Sequence, residues 1–325
     1  MPIKSLCIAL ILLSSCAGQK KPQKKEHVIT KSAITQSFDG KKAFDFVKTQ
    51  TDFGSRIPGS EAHKKCAAYF VKTLEILGAK VSTQEFTAKG YDGTMWKGIN
   101  IIGSYLPEAK DRIFFCAHWD SRFIAEEDKD KKKQLSPIDG ANDGASGVGV
   151  LLEIARQMQI KAPNIGVDII FFDVEDQGAP HYAANKDNQH SWCLGSQYWA
   201  HEAVRSGYKA QWGVLLDMVG APDAVFLKEQ FSNYYAPQLV EQVWQIAEQK
   251  GYKNLFVNKA GGAITDDHLY VNRIANIPCI DIIDYDDNRG GFNPTWHTHN
   301  DNIDNIDPMT LEAVGSVVLE LIRLQ

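Results

Sequence analysis

The chain has 325 residues, of which 44% are hydrophobic and 23% are charged, and its formal net charge is −5. These proportions are typical of a folded, enzyme-sized domain and argue against a disordered chain or a membrane protein. The negative net charge gives no electrostatic basis for binding nucleic acid.

The N-terminal segment has the pattern of an export signal. Lys4 precedes an apolar run that is too short to span a bilayer as a mature helix. The motif "LSSC", which ends at Cys16, resembles a bacterial lipobox; the alternative is an ordinary signal peptide with an incidental cysteine. We expect residues 1–16 to be a lipoprotein signal and residues 17–36 a lysine-rich polar tether. The protein would then be exported, and periplasmic or associated with the outer membrane through a lipid on Cys16 alone.

Hydrophobic periodicity predicts helices and strands in alternation over the remaining chain, residues 37–325. Helical spacing occurs in residues 37–53, 60–78, 146–159, 195–206, 238–250 and 309–324. Short apolar runs, typical of buried strands, occur in residues 80–86, 98–102, 112–117, 167–172, 213–216 and 278–283. This alternation predicts a single α/β domain with a largely parallel sheet that is buried on both faces.

The cysteines of this domain do not form a CxxC pair, which argues against a cysteine zinc site. Cys116 and Cys279 lie inside apolar runs and are expected to be buried. The sequence leaves open whether Cys66 or Cys193 forms a disulfide.

Polar residues gather where the predicted strands end. In open α/β sheets, ligands bind beyond the carboxyl ends of the strands. Each of these residues has an ordinary structural explanation, but together their oxygen and nitrogen atoms favour a zinc-type site built from loops. They are His118, Asp120, Asp143, Glu175, Asp176 and Asp217. Because adjacent residues at a strand end point in different directions, either Glu175 or Asp176 can bind metal while the other carries a proton.

The stretch "NPTWHTHNDNIDNID", residues 293–307, is a candidate metal site, calcium loop or polar turn. An EF-hand loop starting at Asp301 would need glycine at its sixth position, where Ile306 stands, and its twelfth, Glu312, lies inside a predicted helix. Calcium is therefore not expected here.

An ordered set of motifs resembles the M28 family of zinc aminopeptidases and its relatives, the animal-type (type II) glutaminyl cyclases. The motifs are "FGSRIPGS", "HWD", "GANDGASG", "VED", "LDMVGA", "DDH" and "WHTHND", and the resemblance extends from about residue 43 to the end. It implies a twisted mixed sheet with helices on both faces. It also implies that Asp143, Asp176 and His297 bind one Zn²⁺ and that Glu175 transfers protons. His299 and Asp301 would shape and support the ligand loop.

This chain departs from the family pattern at Asp176, where these families usually carry glutamate. It departs from the aminopeptidases at Gly144, because the preceding aspartate is commonly followed there by Asp or Asn. A two-zinc aminopeptidase would bind its second metal with His118 and Asp217, and both residues are present.

The resemblance favours a cyclase over an aminopeptidase. Trp296 precedes His297 as in the cyclases, and the motifs "TDDH" and "LDMVGAP" imply that Asp217 and Asp266 form hydrogen bonds beside Glu175. The candidates for the substrate pocket are Trp192, Phe292 and Trp296.

The implied reaction converts the N-terminal glutamine of peptides or proteins to pyroglutamate with release of ammonia. The alternatives are a two-zinc M28 aminopeptidase and, more remotely, a non-catalytic M28-like binding module. The physiological substrates and the oligomeric state are not predicted.

Overall fold

The computed structural model describes residue 2, residues 37–185 and residues 188–325. The predicted leader, residues 1–16, and tether, residues 17–36, lie outside the described residues except for Pro2. From Ser37 onward the described residues form one compact unit.

The helices and strands of this part alternate along the chain. The α-helices are α1 (Gly40–Asp52), α2 (Glu61–Ile76), α3 (Ala145–Ile160), α4 (Leu194–Ser206), α5 (Gln230–Tyr235), α6 (Pro237–Gln249), α7 (Asp267–Tyr270) and α8 (Pro308–Arg323). The strands are β1 (Lys80–Lys89), β2 (Met95–Tyr105), β3 (Arg112–His118), β4 (Gly166–Phe172), β5 (Gly213–Asp217), β6 (Phe226–Lys228), β7 (Phe256–Ala260), β8 (Cys279–Ile283), β9 (Tyr285–Asp286) and β10 (Gly291–Phe292).

Six strands form the central sheet in the order β1-β2-β4-β3-β5-β8. The pairs β1–β2 and β2–β4 are antiparallel, whereas β4, β3, β5 and β8 run parallel to one another. The prediction of a mixed, mostly parallel sheet is confirmed. The parallel register places the carboxyl ends of four strands at one edge, and that edge carries His118 and Asp217.

The strands β3, β4, β5 and β8 are buried on both faces, so their side chains alternate between two apolar cores. Phe115 of β3 belongs to the larger core, with side chains of α1, α2, α3, α6 and α8. Phe114 belongs to the smaller core, where Trp199 of α4 packs against it. Helices therefore cover both faces of the sheet, as predicted.

Helix α3 lies very close to β5. A Cβ atom added to Gly147 would lie 2.1 Å from the carbonyl oxygen of Leu216, so only glycine permits this approach. The close packing fixes the N-terminus of α3, and with it Asp143, beside the carboxyl end of β5.

The predicted bounds of α3, α4, α6 and α8 agree with the structure to within one residue at each end. The first two strands are longer than predicted, at Lys80–Lys89 and Met95–Tyr105. The added residues of β1 are mostly exposed, because β1 is an edge strand. Strand β2 extends beyond its predicted apolar run at both ends. No helix in the described part of the chain is both long enough and apolar enough to span a membrane.

Candidate active site

Segments that are far apart in the chain bring acidic and histidine side chains together at the carboxyl edge of the sheet. The first candidate group is Asp143, Asp176 and His297, in which one ligand atom of each lies within 4.8 Å of the others. His297 Nε2 lies 3.1 Å from Asp176 Oδ1 and 3.5 Å from Asp143 Oδ2. All three residues are buried.

This group has the donor set of a zinc site. Two carboxylates and one imidazole nitrogen are common protein ligands of zinc, and they leave a coordination position for a substrate. Asp176 Oδ2 is buried and has no hydrogen-bond partner among the described residues, as expected for an oxygen that binds a metal. The shorter side chain of Asp176 still brings its other oxygen to 3.1 Å from His297, so the missing methylene does not prevent the cluster from forming.

A second group shares Asp143 with the first. His118 Nε2 lies 2.9 Å from Asp143 Oδ1 and 3.1 Å from Asp217 Oδ1, and the three ligand atoms lie within 4.8 Å of one another. The residues of a second metal site are therefore together, so their positions alone do not distinguish one metal from two.

The loop after β4 directs its two acidic residues to different partners. Val174 adopts the left-handed conformation, with φ of 56°. Asp176 then lies beside His297, whereas Glu175 Oε2 lies 4.0 Å from His118 Nδ1. This arrangement is consistent with the predicted division of labour between metal ligand and proton carrier.

Asp120 holds this loop in place. Its carboxylate accepts hydrogen bonds from the backbone N–H groups of Glu175 and Asp176 at 3.0 and 3.1 Å, and from Gln177 Nε2 at 2.9 Å. Asp301 does the same for the loop before α3, where it accepts from the backbone N–H groups of Asn142 and Asp143. These acids organise backbone and leave the neighbouring side chains free.

The second ring nitrogen of His297 faces a carboxylate that sequence reasoning missed. His297 Nδ1 lies 3.2 Å from Glu126 Oε1, and Arg122 forms an ion pair with Glu126. Burial raises the pKa of Glu126, but the opposing effect of His297 and Arg122 is larger and brings it to about 2. A charged carboxylate on Nδ1 fixes the tautomer that leaves Nε2 free for a metal.

Two indoles flank His297. The ring of Trp296 stacks on it at a centroid distance of 3.7 Å, and Trp192 lies parallel to it at 5.9 Å. The guanidinium of Arg122 lies 4.5 Å from the Trp192 ring, and Phe292 packs on Trp296. The aromatic side chains therefore restrict the orientation of the His297 ring.

A cavity of about 420 Å³ opens onto these groups. All three predicted pocket residues, Trp192, Phe292 and Trp296, line it. Glu175 and Asp266 lie at the same cavity. No lysine or arginine lines it within the described residues, so its polar surface is mainly carboxylate and amide.

Burial raises the pKa of Glu175 well above its ordinary value; the charge of His118 opposes this, and the carboxylates of Asp266 and Asp176 add to it. Burial likewise raises the pKa of Asp217 to about 7, against the opposing effect of His118. The site therefore holds several carboxylates that cannot all be ionised cheaply without a cation.

The predicted hydrogen bonds beside Glu175 differ from the observed ones. Asp266 caps α7 through the backbone N–H of Asp267. One oxygen of Asp266 and one of Glu175 nevertheless lie within 4.8 Å of each other. Asp217 bonds to His118 and does not reach Glu175 directly. In this structure Glu175 Oε1 accepts a hydrogen bond from Cys193 Sγ at 3.1 Å, a contact that the sequence did not predict.

Gly144 adopts φ of 96°, and a Cβ atom there would lie 2.7 Å from Asp120 O and 3.0 Å from His118 Cε1. A side chain at this position would clash with the carbonyl oxygen of Asp120 and crowd the ring of His118. The glycine that distinguishes the chain from the aminopeptidases therefore has a direct steric effect on the second group of candidate ligands.

His299 faces away from the cluster. Its Nδ1 lies 2.8 Å from Asp128 Oδ2, and its Nε2 lies 3.0 Å from Ser136 Oγ. It ties the ligand loop to the charged segment after Glu126. The four cysteines of the described chain are unpaired and buried, Cys66 and Cys193 included.

The chain resembles several known proteins over this region. Residues 100–322 match the model of peptidase family M28. The crystal structure of Bacteroides thetaiotaomicron glutaminyl cyclase bound to N-acetylhistamine is 50% identical, with a TM-score of 0.87, and covers 89% of this chain and 99% of that chain. A Zn-dependent exopeptidase from Parabacteroides distasonis is also 50% identical, with a TM-score of 0.86 and the same coverage. The glutaminyl-peptide cyclotransferase of Drosophila melanogaster is 25% identical over 288 residues, which are 81% of this chain and 75% of that protein.

We predict that Glu126→Gln weakens zinc binding about 10-fold, the lower end of the range for outer ligand partners, because the neutral amide no longer holds His297 by charge. Competition with a fluorescent chelator measures the dissociation constant. Glu127→Gln is the matched control, because Glu127 is the exposed neighbour and contacts His297 only through its backbone N–H. Equal zinc affinity in both variants would contradict the role given to Glu126.

Proposed function

This chain belongs to peptidase family M28, and from that membership we propose that it is a zinc-dependent glutaminyl-peptide cyclotransferase. Its substrates are peptides and proteins with an N-terminal glutamine, and its products are a pyroglutamyl N-terminus and ammonia. Near-complete coverage at 50% identity with a bacterial glutaminyl cyclase supports the assignment.

The observation that carries the proposal is the chemistry of the cavity. Its aromatic walls, Trp192, Phe292 and Trp296, suit the apolar part of one side chain, and the candidate metal ligands and Glu175 lie at the same cavity.

Zinc bound by Asp143, Asp176 and His297 would supply Lewis-acid polarisation of a carbonyl oxygen. The aromatic walls orient the glutamine side chain so that its own α-amine reaches the amide carbon, and the new C–N bond closes a five-membered ring. Glu175 accepts the proton that the attacking nitrogen loses. It delivers that proton to the departing nitrogen, which leaves as ammonia when the old C–N bond breaks.

Asp266 and Asp217 influence Glu175 without contacting the substrate in this proposal. The charge of Asp266 beside Glu175 favours the protonated form of Glu175, which is the form that gives the proton to ammonia. Asp217 contacts His118 Nε2, and His118 Nδ1 faces Glu175 Oε2 at 4.0 Å.

We propose one zinc ion per chain. The alternative, a two-zinc aminopeptidase, is favoured by one observation, namely that His118, Asp143 and Asp217 already lie within ligand distance of one another. In the cyclization the nucleophile is the substrate's amine, so a second metal to generate hydroxide is not required.

The deciding experiment measures zinc per chain in purified residues 17–325, ammonia release from a Gln-initiated dipeptide and amine release from a Leu-anilide. We expect about one zinc, ammonia release and an intact anilide. Two zinc ions with anilide hydrolysis would instead establish the aminopeptidase. If the protein releases neither ammonia nor the amine, it is a binding module.

We predict that Glu175→Gln lowers kcat for ammonia release by about 10²- to 10⁴-fold, the contribution expected of a proton-transferring group, while zinc remains bound. Steady-state kinetics and metal analysis of the same preparation measure both effects. Glu153→Gln is the control, because Glu153 is buried in α3 but does not line the cavity. A Glu175→Gln enzyme with unchanged kcat would remove Glu175 from the mechanism.

The N-terminal prediction becomes a further proposal: cleavage before Cys16 and lipidation of that cysteine attach the enzyme to a membrane of the cell envelope. The full chain expressed in a bacterium with an alkyne fatty acid should be labelled and should sediment with membranes. Cys16→Ala should lose both properties, whereas Cys7→Ala, in the same leader, should keep them. An unlabelled wild-type chain would contradict the lipobox.

A further inference from the structure

Cys193 occupies an unusual backbone position at the start of α4. Its φ and ψ are 58° and 35°, a left-handed conformation that glycine or asparagine adopts at lower cost. A cysteine at this position indicates that its side chain contributes something that glycine would not.

The contacts of Cys193 converge on Glu175. The backbone N–H of Cys193 donates to Glu175 O at 3.0 Å, and the thiol donates to Glu175 Oε1 at 3.1 Å. The next residue, Leu194, donates its backbone N–H to Val174 O at 3.0 Å. Two left-handed residues, Val174 and Cys193, therefore clamp the end of β4 against the start of α4.

The thiol donates a hydrogen bond to Glu175 Oε1 and leaves Oε2 without a hydrogen-bond donor in the described part of the chain. No hydrogen bond to Glu175 Oε2 occurs among the described residues, and the nearest ionisable nitrogen, His118 Nδ1, is 4.0 Å away. Asp266 also lies within 4.8 Å of both the thiol and Glu175. The thiol is thus the neutral group between two carboxylates.

Cys193 is fully buried. Burial raises the pKa of the thiol well above its ordinary value, and the neighbouring Glu175, Asp267 and Asp266 raise it further. The sulfur therefore keeps its hydrogen, which makes it a lasting donor rather than a nucleophile.

We propose that Cys193 is a positioning residue for the reaction: its S–H holds Glu175 Oε1 and leaves Oε2 as the oxygen that exchanges the proton with substrate nitrogen. The inference rests on the proposed cyclization, because it assigns Glu175 its orientation within that step. A thiol suits this position because its weak donor strength leaves the basicity of Glu175 largely intact.

The test compares Cys193→Ala, Cys193→Ser and Cys193→Gly with the wild type in kcat, KM, zinc content and melting temperature. Removal of the donor should lower kcat of Cys193→Ala by about 10- to 100-fold, the cost of a misplaced reacting group, with little change in KM or zinc content. Serine, which keeps a donor, should restore most of this loss.

Glycine separates positioning from stability. Cys193→Gly relieves the left-handed backbone and should melt at a higher temperature than Cys193→Ala, yet its kcat should be as low as that of the alanine variant. Cys66→Ala is the matched control for loss of a buried thiol, because Cys66 lies in α2 away from the cavity, and its kcat should equal the wild-type value.

Two results would overturn the inference. In one, Cys193→Ala keeps the wild-type kcat. In the other, kcat of the alanine, serine and glycine variants follows their melting temperatures, which would make Cys193 only a packing residue. If the wild-type enzyme itself releases no ammonia, the proposed function fails first, so the two failures are distinguishable.

Discussion

The structure depends on the burial of many carboxylates at one edge of a parallel sheet. Asp143, Glu175, Asp176 and Asp217 are all buried there, and ligand oxygens of Asp143 lie within 4.8 Å of those of Asp176 and Asp217. Like charges in a low-dielectric interior repel strongly. Burial and this repulsion raise the pKa of Asp176 to about 6, against the opposing effect of His297. The folded chain can accommodate such a group only with compensating donors and, when bound, a cation. The edge of the sheet is thus unfavourable for folding and well prepared for metal binding.

Residues around the candidate ligands hold them in place. Asp120 and Asp301 accept hydrogen bonds from backbone N–H groups and so fix two loops. Glu126, paired with Arg122, lies against the Nδ1 atom of His297. The same region concentrates left-handed backbone: Val174, Cys193, Met218 and His297 all have positive φ. His297 is itself a candidate metal ligand, and Val174 and Met218 are the chain neighbours of Glu175 and Asp217. Cys193 contacts Glu175 through its thiol. Such conformations cost about 1–3 kcal/mol each and persist only where surrounding contacts impose them, so this strain accompanies the orientation of the site residues.

Sequence patterns predicted the sheet and its helices well, because buried parallel strands are continuous apolar runs and helices repeat every 3.6 residues. They also predicted which strand ends carry polar side chains, such as His118 and Asp217. They could not predict Glu126 or Cys193, whose partners lie 171 and 18 residues away in the chain and are set by loop conformation. The assignments of individual site residues to metal, proton transfer or pocket remain predictions. The apolar triplet of residues 123–125 before Glu126 is a sequence signal that could have marked this segment as packed.

Gly144 shows how one scaffold can support two chemistries. A side chain at this position would press on His118, so glycine allows the imidazole to contact both Asp143 and Asp217 directly. In that arrangement the histidine lies within ion-pair distance of both acids. Under the one-zinc proposal, Glu175 would face the imidazole of His118 and the thiol of Cys193. If the proposed one-zinc cyclization holds, glycine at this position would favour proton movement within a single substrate over activation of water.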